Sequence, residues 1–200
     1  MAARKQRIAV LLSGRGSNME AILRSAREGV LADCAEVAVV VSNNPEAQGL
    51  VRARALGFAV ACLDSRGKKR DAFDAALLEL LEPHALDYVV LAGYMRILSP
   101  AVVRRYPGRI VNIHPADTRQ HQGLHGYEWA FDRHLETTKI TVHLVDEGLD
   151  TGRILAQRDV DLRGATSLDE VERRGLAVEH ALYSEALAEL FRRQAWSTPE

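Results

Sequence analysis

The chain lacks most of the features that would assign it quickly. It has only two cysteines, Cys34 and Cys62, without close spacing. They make neither a disulfide framework nor a metal knuckle, and read as small apolar residues in a reducing cytosol. No apolar run approaches the ~20 residues needed to span a bilayer. The run Ile8–Leu12, behind the basic start Met1–Arg7, is too short for the core of a signal peptide, and Ser-Gly-Arg-Gly interrupts it at once. Charge of one sign is also missing: 26 Lys and Arg stand against 27 Asp and Glu, for a net charge of −1. That excludes the polycationic surface of a bulk nucleic-acid binder, but not a local basic group for a small anion. A Gly-x-Ser-x-Gly nucleophile motif and a Walker lysine are absent. Repeats, low-complexity segments and interdomain linkers are absent too. The expectation is one soluble cytoplasmic domain over 1–200, without membrane or nucleic-acid partners. The sequence allows a homodimer without requiring one.

What is present is an alternation of short apolar runs and helical patterns. Ile8–Leu12, Glu36–Ser42, Phe58–Leu63, Leu86–Ala92 and Ile110–Ile113 read as strands. Between them lie helices predicted over about Met19–Glu28, Pro45–Leu56, Lys68–Glu82 and Pro100–Tyr106. Ser17 with Glu20 fits a capping box at the first helix, and Gly57 a C-terminal cap at the second. This order predicts a parallel sheet with right-handed crossovers. After a polar loop and a short helix over Tyr127–Leu135, the runs Thr137–Val145 and Arg153–Leu162 read as a hairpin with a long connection. In the first of these, Ile140, Val142 and Leu144 face one way and Thr141 and His143 the other. Ser167 with Glu170 forms a second capping box, opening a last helix to about Arg193. The fold class is α/β: a Rossmann-like, mostly parallel central sheet with flanking helices and a C-terminal antiparallel hairpin.

The candidate chemistry centres on Val111–Pro115. Strand side chains alternate, so Asn112 and His114 point to one side, and Pro115 ends the strand beside His114. An amide can donate to an oxygen that gains charge, and an imidazole can carry a proton near neutral pH. The bland alternative is an Asn112 bonded to loop backbone and a His114 capping a turn. Asp150, between Gly148 and Gly152, is either a turn residue or a carboxylate that orients and charges His114. Gly14 and Gly16, between a strand and a helix start, suit a phosphate or form a plain tight turn. Arg70 is read as part of a solvated basic face or as an anion contact. His84, His134, His143 and His180 are taken as structural. His121 and His125 lack partners for a metal site.

Five stretches in order resemble the phosphoribosylglycinamide formyltransferases, folate-dependent enzymes of purine synthesis: Ser13–Asn18, Leu91–Pro100, Asn112–Pro115, Gly123–His125 and Asp146–Gly152. The resemblance runs from Ile8 to the final helix. It implies formyl transfer from 10-formyltetrahydrofolate, as cosubstrate, to the primary amine of glycinamide ribonucleotide. By that similarity Asn112, His114 and Asp150 are catalytic, with Asn112 and a protonated His114 stabilising the oxyanion and Asp150 raising the His114 pKa. Gly16, Ser17, Asn18 and Glu179 would hold the ribonucleotide. Arg70, Met95, Arg96, Ile97, Leu98, Val103 and Asp146 would line the folate pocket. No metal or redox cofactor is needed for this chemistry. Glu179 is otherwise an ordinary exposed helix carboxylate. Two departures stand out. The family's Ser-Leu-Leu-Pro and Tyr-Pro-Gly segments after His-Pro are replaced by the polar Ala116–Gly123, and Thr137–Lys139 replaces a family glycine before Ile140. The first borders the expected amine and folate pocket and bears on which amine is accepted. The alternatives are a related enzyme formylating another amine, such as a nucleotide-linked amino sugar, a non-catalytic folate- and nucleotide-binding module, or a formyltetrahydrofolate hydrolase. Hydrolases usually carry an extra N-terminal regulatory domain, and this chain begins directly with its first strand.

Overall fold

The computed structural model describes residues 4–195. Seven strands form one sheet: β1 (Gln6–Leu12), β2 (Ala35–Ser42), β3 (Val60–Cys62), β4 (Tyr88–Leu91), β5 (Ile110–His114), β6 (Thr137–Leu144) and β7 (Ile154–Asp161). Their spatial order is β3-β2-β1-β4-β5-β6-β7. Pairing is parallel from β3 to β5 and antiparallel from β5 through β7. Five α-helices lie between strands, α1 (Ser17–Glu28), α2 (Gln48–Ala55), α3 (Arg70–Leu81), α4 (Pro100–Arg105) and α5 (Gly126–Asp132), and a sixth, α6 (Leu168–Ala195), follows β7. The expected fold class is therefore the observed one. Among the described residues, no helix is long and apolar enough to cross a membrane.

The continuous apolar runs of the inner strands follow from burial on both faces. Ile8, Val10 and Leu12 pack under α1 and α6 with Met19, Ile22, Tyr183, Leu187 and Phe191. Ala9 and Leu11 face the opposite core, with Phe73, Leu77 and Leu81 of α3 and Val102 of α4. The chain leaves β1 toward β2 and β3, then returns to add β4 on the other side. The carboxyl ends of β1 and β4 thus bound the crevice where open α/β sheets bind ligands. Tyr183 ties this region to α6: its buried hydroxyl lies 2.9 Å from the carbonyl oxygens of both Leu91 and Val111.

Several local expectations need correction. The Ser17–Glu20 capping box does not form. The residue before α1 is Gly16, in the left-handed region with φ 77°, and no side chain caps the helix. Glu20 instead bonds Arg24 and Arg52. Pro45 lies in a turn, and α2 starts only at Gln48. The third strand shrinks to Val60–Cys62 because, at the sheet edge, it pairs with β2 over just those residues. Gly57 does end α2: with φ +79° it donates its N–H to Arg54 while Phe58 donates to Ala53, a Schellman arrangement. At α6, Ser167 accepts from the Glu170 N–H at 3.2 Å, as a cap should.

Candidate active site

Period-two alternation places Val111 and Ile113 in the core under α6, so Asn112 and His114 emerge together on the other side. The antiparallel register sets His143 opposite Asn112 and Thr141 opposite His114. Asp150, held with φ 53°, turns back over this strand end from the loop after β6. Its Oδ2 is 3.5 Å from His114 Nδ1, and its Oδ1 is 3.4 Å from both His143 Nε2 and Asn112 Nδ2. The structure therefore brings Asn112, His114 and Asp150 together and adds His143 beside them. From sequence alone His143 reads as structural. The signal for it was its place on the polar face of its strand, but only the register pairs it with Asn112.

The electrostatics differ from expectation in one respect. His114 is buried, and that desolvation holds its pKa below the ordinary value, outweighing the nearby Asp150 and the His121 carbonyl. The expected rise is not what the geometry gives. Yet both ring nitrogens face acceptors: Nδ1 faces Asp150, and Nε2 lies 3.1 Å from the His121 carbonyl. The resting site is thus arranged for an imidazolium and too dry to keep one. Burial also pushes Asp150 upward, but hydrogen bonds from His143 and from the Gly123 N–H, at 2.8 Å, win and hold its carboxyl below the usual aspartate value. Asp150 is thereby favoured as the carboxylate, ready to face a positive charge on His114.

Next to this cluster, the loop after β4 and the α4 helix that follows carry five of the residues expected for folate. Leu98 and Val103 are buried, while Met95 and Ile97 are 63% and 59% exposed. Arg96 stacks its guanidinium 4.4 Å above the ring of Phe73. The loop is anchored at both ends: Met95 N–H donates to Ser13 Oγ at 2.8 Å, and Ser99 N–H to the buried carboxylate of Asp74 at 2.5 Å. Asp146 is exposed and accepts from Gly148 N–H and Thr151 Oγ1 within its own loop. Arg70 opens α3 as an exposed side chain, paired among the described residues with Asp71 at 3.3 Å.

On the β1 side, Gly16, Ser17 and Asn18 form the start of α1, where the first N–H groups have no intrahelical acceptor. The Asn18 side chain donates to Glu179 of α6, and so does the Tyr127 hydroxyl of α5. Glu179 is only 5% exposed, so it is no ordinary surface carboxylate. Burial raises its pKa against both donors. Among the described residues no group of three or more His, Cys, Asp or Glu is placed to hold a metal. His125 pairs with Glu128 and His121 with the Leu124 carbonyl.

A family model described as formyl transferase matches residues 6–187. The chain belongs to the formyl transferase family.

Within that family, the chain is 40% identical over 177 residues to the phosphoribosylglycinamide formyltransferase of Escherichia coli (strain K12), covering 88% of this chain and 82% of that one. It is 36% identical over 201 residues to the trifunctional purine biosynthetic protein adenosine-3 of Drosophila melanogaster, covering 100% of this chain but 15% of that much longer protein. The crystal structure of glycinamide ribonucleotide transformylase 1 from Symbiobacterium toebii superposes with a TM-score of 0.87 at 40% identity, over 92% of this chain and 88% of that one. For a formyl transferase the arrangement is chemically apt. An amide donor, an imidazole and a carboxylate meet, the kinds of group that can stabilise a carbonyl oxygen as it gains charge.

Proposed function

We propose that this chain transfers the formyl group of 10-formyltetrahydrofolate to the primary amine of glycinamide ribonucleotide, as one catalytic domain. The observation that carries the reading is the meeting of Asn112, His114 and Asp150 at one strand end. It stands at the end of β5, next to β4 and its apolar loop, with β1 and the start of α1 one strand further along. The relatives named for this activity support the acceptor.

Each group has a role that follows from its chemistry. The free N–H groups at Ser17 and Asn18 suit the ribonucleotide phosphate, because the helix dipole favours an anion there. Glu179, held by Asn18 and Tyr127, is the carboxylate we assign to the sugar hydroxyls. Met95 and Ile97 offer exposed apolar surface to the flat folate ring, with Leu98 and Val103 beneath. Arg96 borders that surface, and Arg70 and Asp146 lie exposed as further polar contacts. In the reaction the amine nitrogen bonds to the formyl carbon, the bond from that carbon to the folate nitrogen breaks, and one proton passes from the amine to that nitrogen. Asn112 donates to the carbonyl oxygen as charge builds. His114 takes up the amine's proton only then, when the new negative charge offsets its burial, Asp150 steadies the imidazolium, and the same proton passes to the folate nitrogen as the carbon–nitrogen bond breaks.

The test is a steady-state assay with glycinamide ribonucleotide and a panel of other amines, including nucleotide-linked amino sugars. Turnover with the ribonucleotide at the highest kcat/KM is expected. Turnover confined to another amine would overturn the acceptor and leave formyl transfer standing.

A further inference from the structure

The two departures from the family pattern, the polar segment after Pro115 and Lys139 before Ile140, meet in space. Asp117 is only 7% exposed, yet it is a carboxylate in a segment that follows a buried strand. Its Oδ1 accepts from the Arg119 N–H at 3.1 Å and from Gln157 Nε2 of β7 at 3.2 Å. Its Oδ2 faces Lys139 Nζ of β6 at 3.8 Å. Its backbone carbonyl accepts from the N–H groups of Gln120 and His121, at 2.8 and 3.0 Å. Gln157 also donates to Thr141 Oγ1 at 2.9 Å, and Thr141 donates to the Ala116 carbonyl at 2.7 Å. The segment is thus pinned to the β6–β7 hairpin by a network in which Asp117 is the shared acceptor. These bonds and its cationic neighbours outweigh the cost of burial and keep the carboxyl ionised.

The other end of the same segment touches the active site twice. The His121 carbonyl accepts from His114 Nε2, and the Gly123 N–H donates to Asp150. The His121 ring stacks on Trp129 of α5, with centroids 5.0 Å apart, which closes the segment over His114. His114 therefore faces Asp150, His121 and His143, and each of these contacts except His143 depends on where the segment lies.

We propose that Asp117 is a positioning residue that holds the 116–123 segment against the hairpin, so that its backbone fixes His114 and Asp150 in their reacting geometry. The family pattern has apolar residues and prolines here. In this chain a buried charge network takes over the task of ordering the loop. The inference deepens the proposed formyl transfer and rests on it.

The test compares Asp117→Ala, Asp117→Asn and Gln157→Leu with the unaltered protein by kinetics and by backbone amide exchange at His121 and Gly123. Asp117→Ala should lower kcat by about tenfold to a hundredfold, as expected for a small misplacement of reacting groups. KM for either substrate should change by less than about threefold, since Asp117 is none of the residues assigned to the ribonucleotide or the folate. Exchange at both amides should quicken. Asp117→Asn keeps an oxygen for the Arg119 N–H and should recover most of the lost kcat. Gln157→Leu leaves the carboxylate in place, so it reads the network even where Asp117→Ala fails to fold, and should show the same pattern more mildly. Folded variants with unchanged kcat and unchanged exchange would overturn the proposal, as would a loss carried wholly by KM. If the unaltered protein transfers no formyl group, the proposed function fails. The exchange arm then decides the anchor alone: unchanged protection in the variants refutes it.

Discussion

At the scale of single residues, the site turns on the conflict at His114 between burial and two acceptors. Because its folded pKa lies below the ordinary value, the native state binds fewer protons than the unfolded chain. Stability is therefore highest above the unfolded imidazole pKa, about 6.5, and falls as pH drops through that value toward the folded pKa. His114→Asn should flatten this slope, measured as the difference between variant and unaltered protein in urea unfolding at pH values about one unit either side of 6.5. An unaltered slope would mean that His114 is not held neutral by burial. The difference isolates His114 from His180, which burial also depresses, and from Glu179, whose raised pKa acts with the opposite sign. The pairing of Asn112 with His114 was legible because strand alternation is a local rule. The raising effect of Asp150 on His114 was legible, but not the burial that outweighs it, because depth of burial is set by tertiary packing that no local rule places. His143 escaped notice for a related reason, since only strand register sets it opposite Asn112.

At the scale of elements, the turn into α1 does most to shape the crevice. Gly16 has φ +77°, and a Cβ there would lie 2.8 Å from Gly49 Cα and 2.9 Å from Met19 Cε. Gly16→Ala should therefore cost about 1–3 kcal/mol of stability and displace the start of α1. Its mark is a raised KM for the ribonucleotide in the protein that remains folded, with KM for the folate unchanged. An unaffected ribonucleotide KM would remove the α1 N-terminus from the substrate site. Ser13 links this turn to the loop after β4, since its Oγ accepts from the Met95 N–H and donates to Asn43 Oδ1 at 2.5 Å. The inner strands were readable because two-sided burial demands unbroken apolar runs. The ends of elements were less so. Ser17 and Glu20 have the capping spacing, but Gly16 already supplies the turn, and Glu20 finds stronger partners in Arg24 and Arg52.

At the scale of the whole molecule, α6 joins what the sheet separates. It covers one core with Leu187 and Phe191, bonds β4 and β5 through Tyr183, and brings Glu179 to Asn18 near the other end of the sequence. The α/β order, the parallel sheet and the terminal hairpin were all visible in the alternation of runs. The contacts across α6 were not, because a helix pattern shows which face is buried and not what lies against it. The sheet places the phosphate-type helix start, the apolar loop and the Asn112–His114–Asp150 cluster along one edge, so two substrates can meet there. The decisive measurement follows folate release from 10-formyltetrahydrofolate, with and without glycinamide ribonucleotide, for the unaltered protein and for Asn112→Ala. Release should depend on the ribonucleotide and fall by about 100- to 1,000-fold in the variant, the loss expected for one oxyanion donor. Release that ignores the amine, or that survives the loss of Asn112 undiminished, would contradict formyl transfer at this cluster.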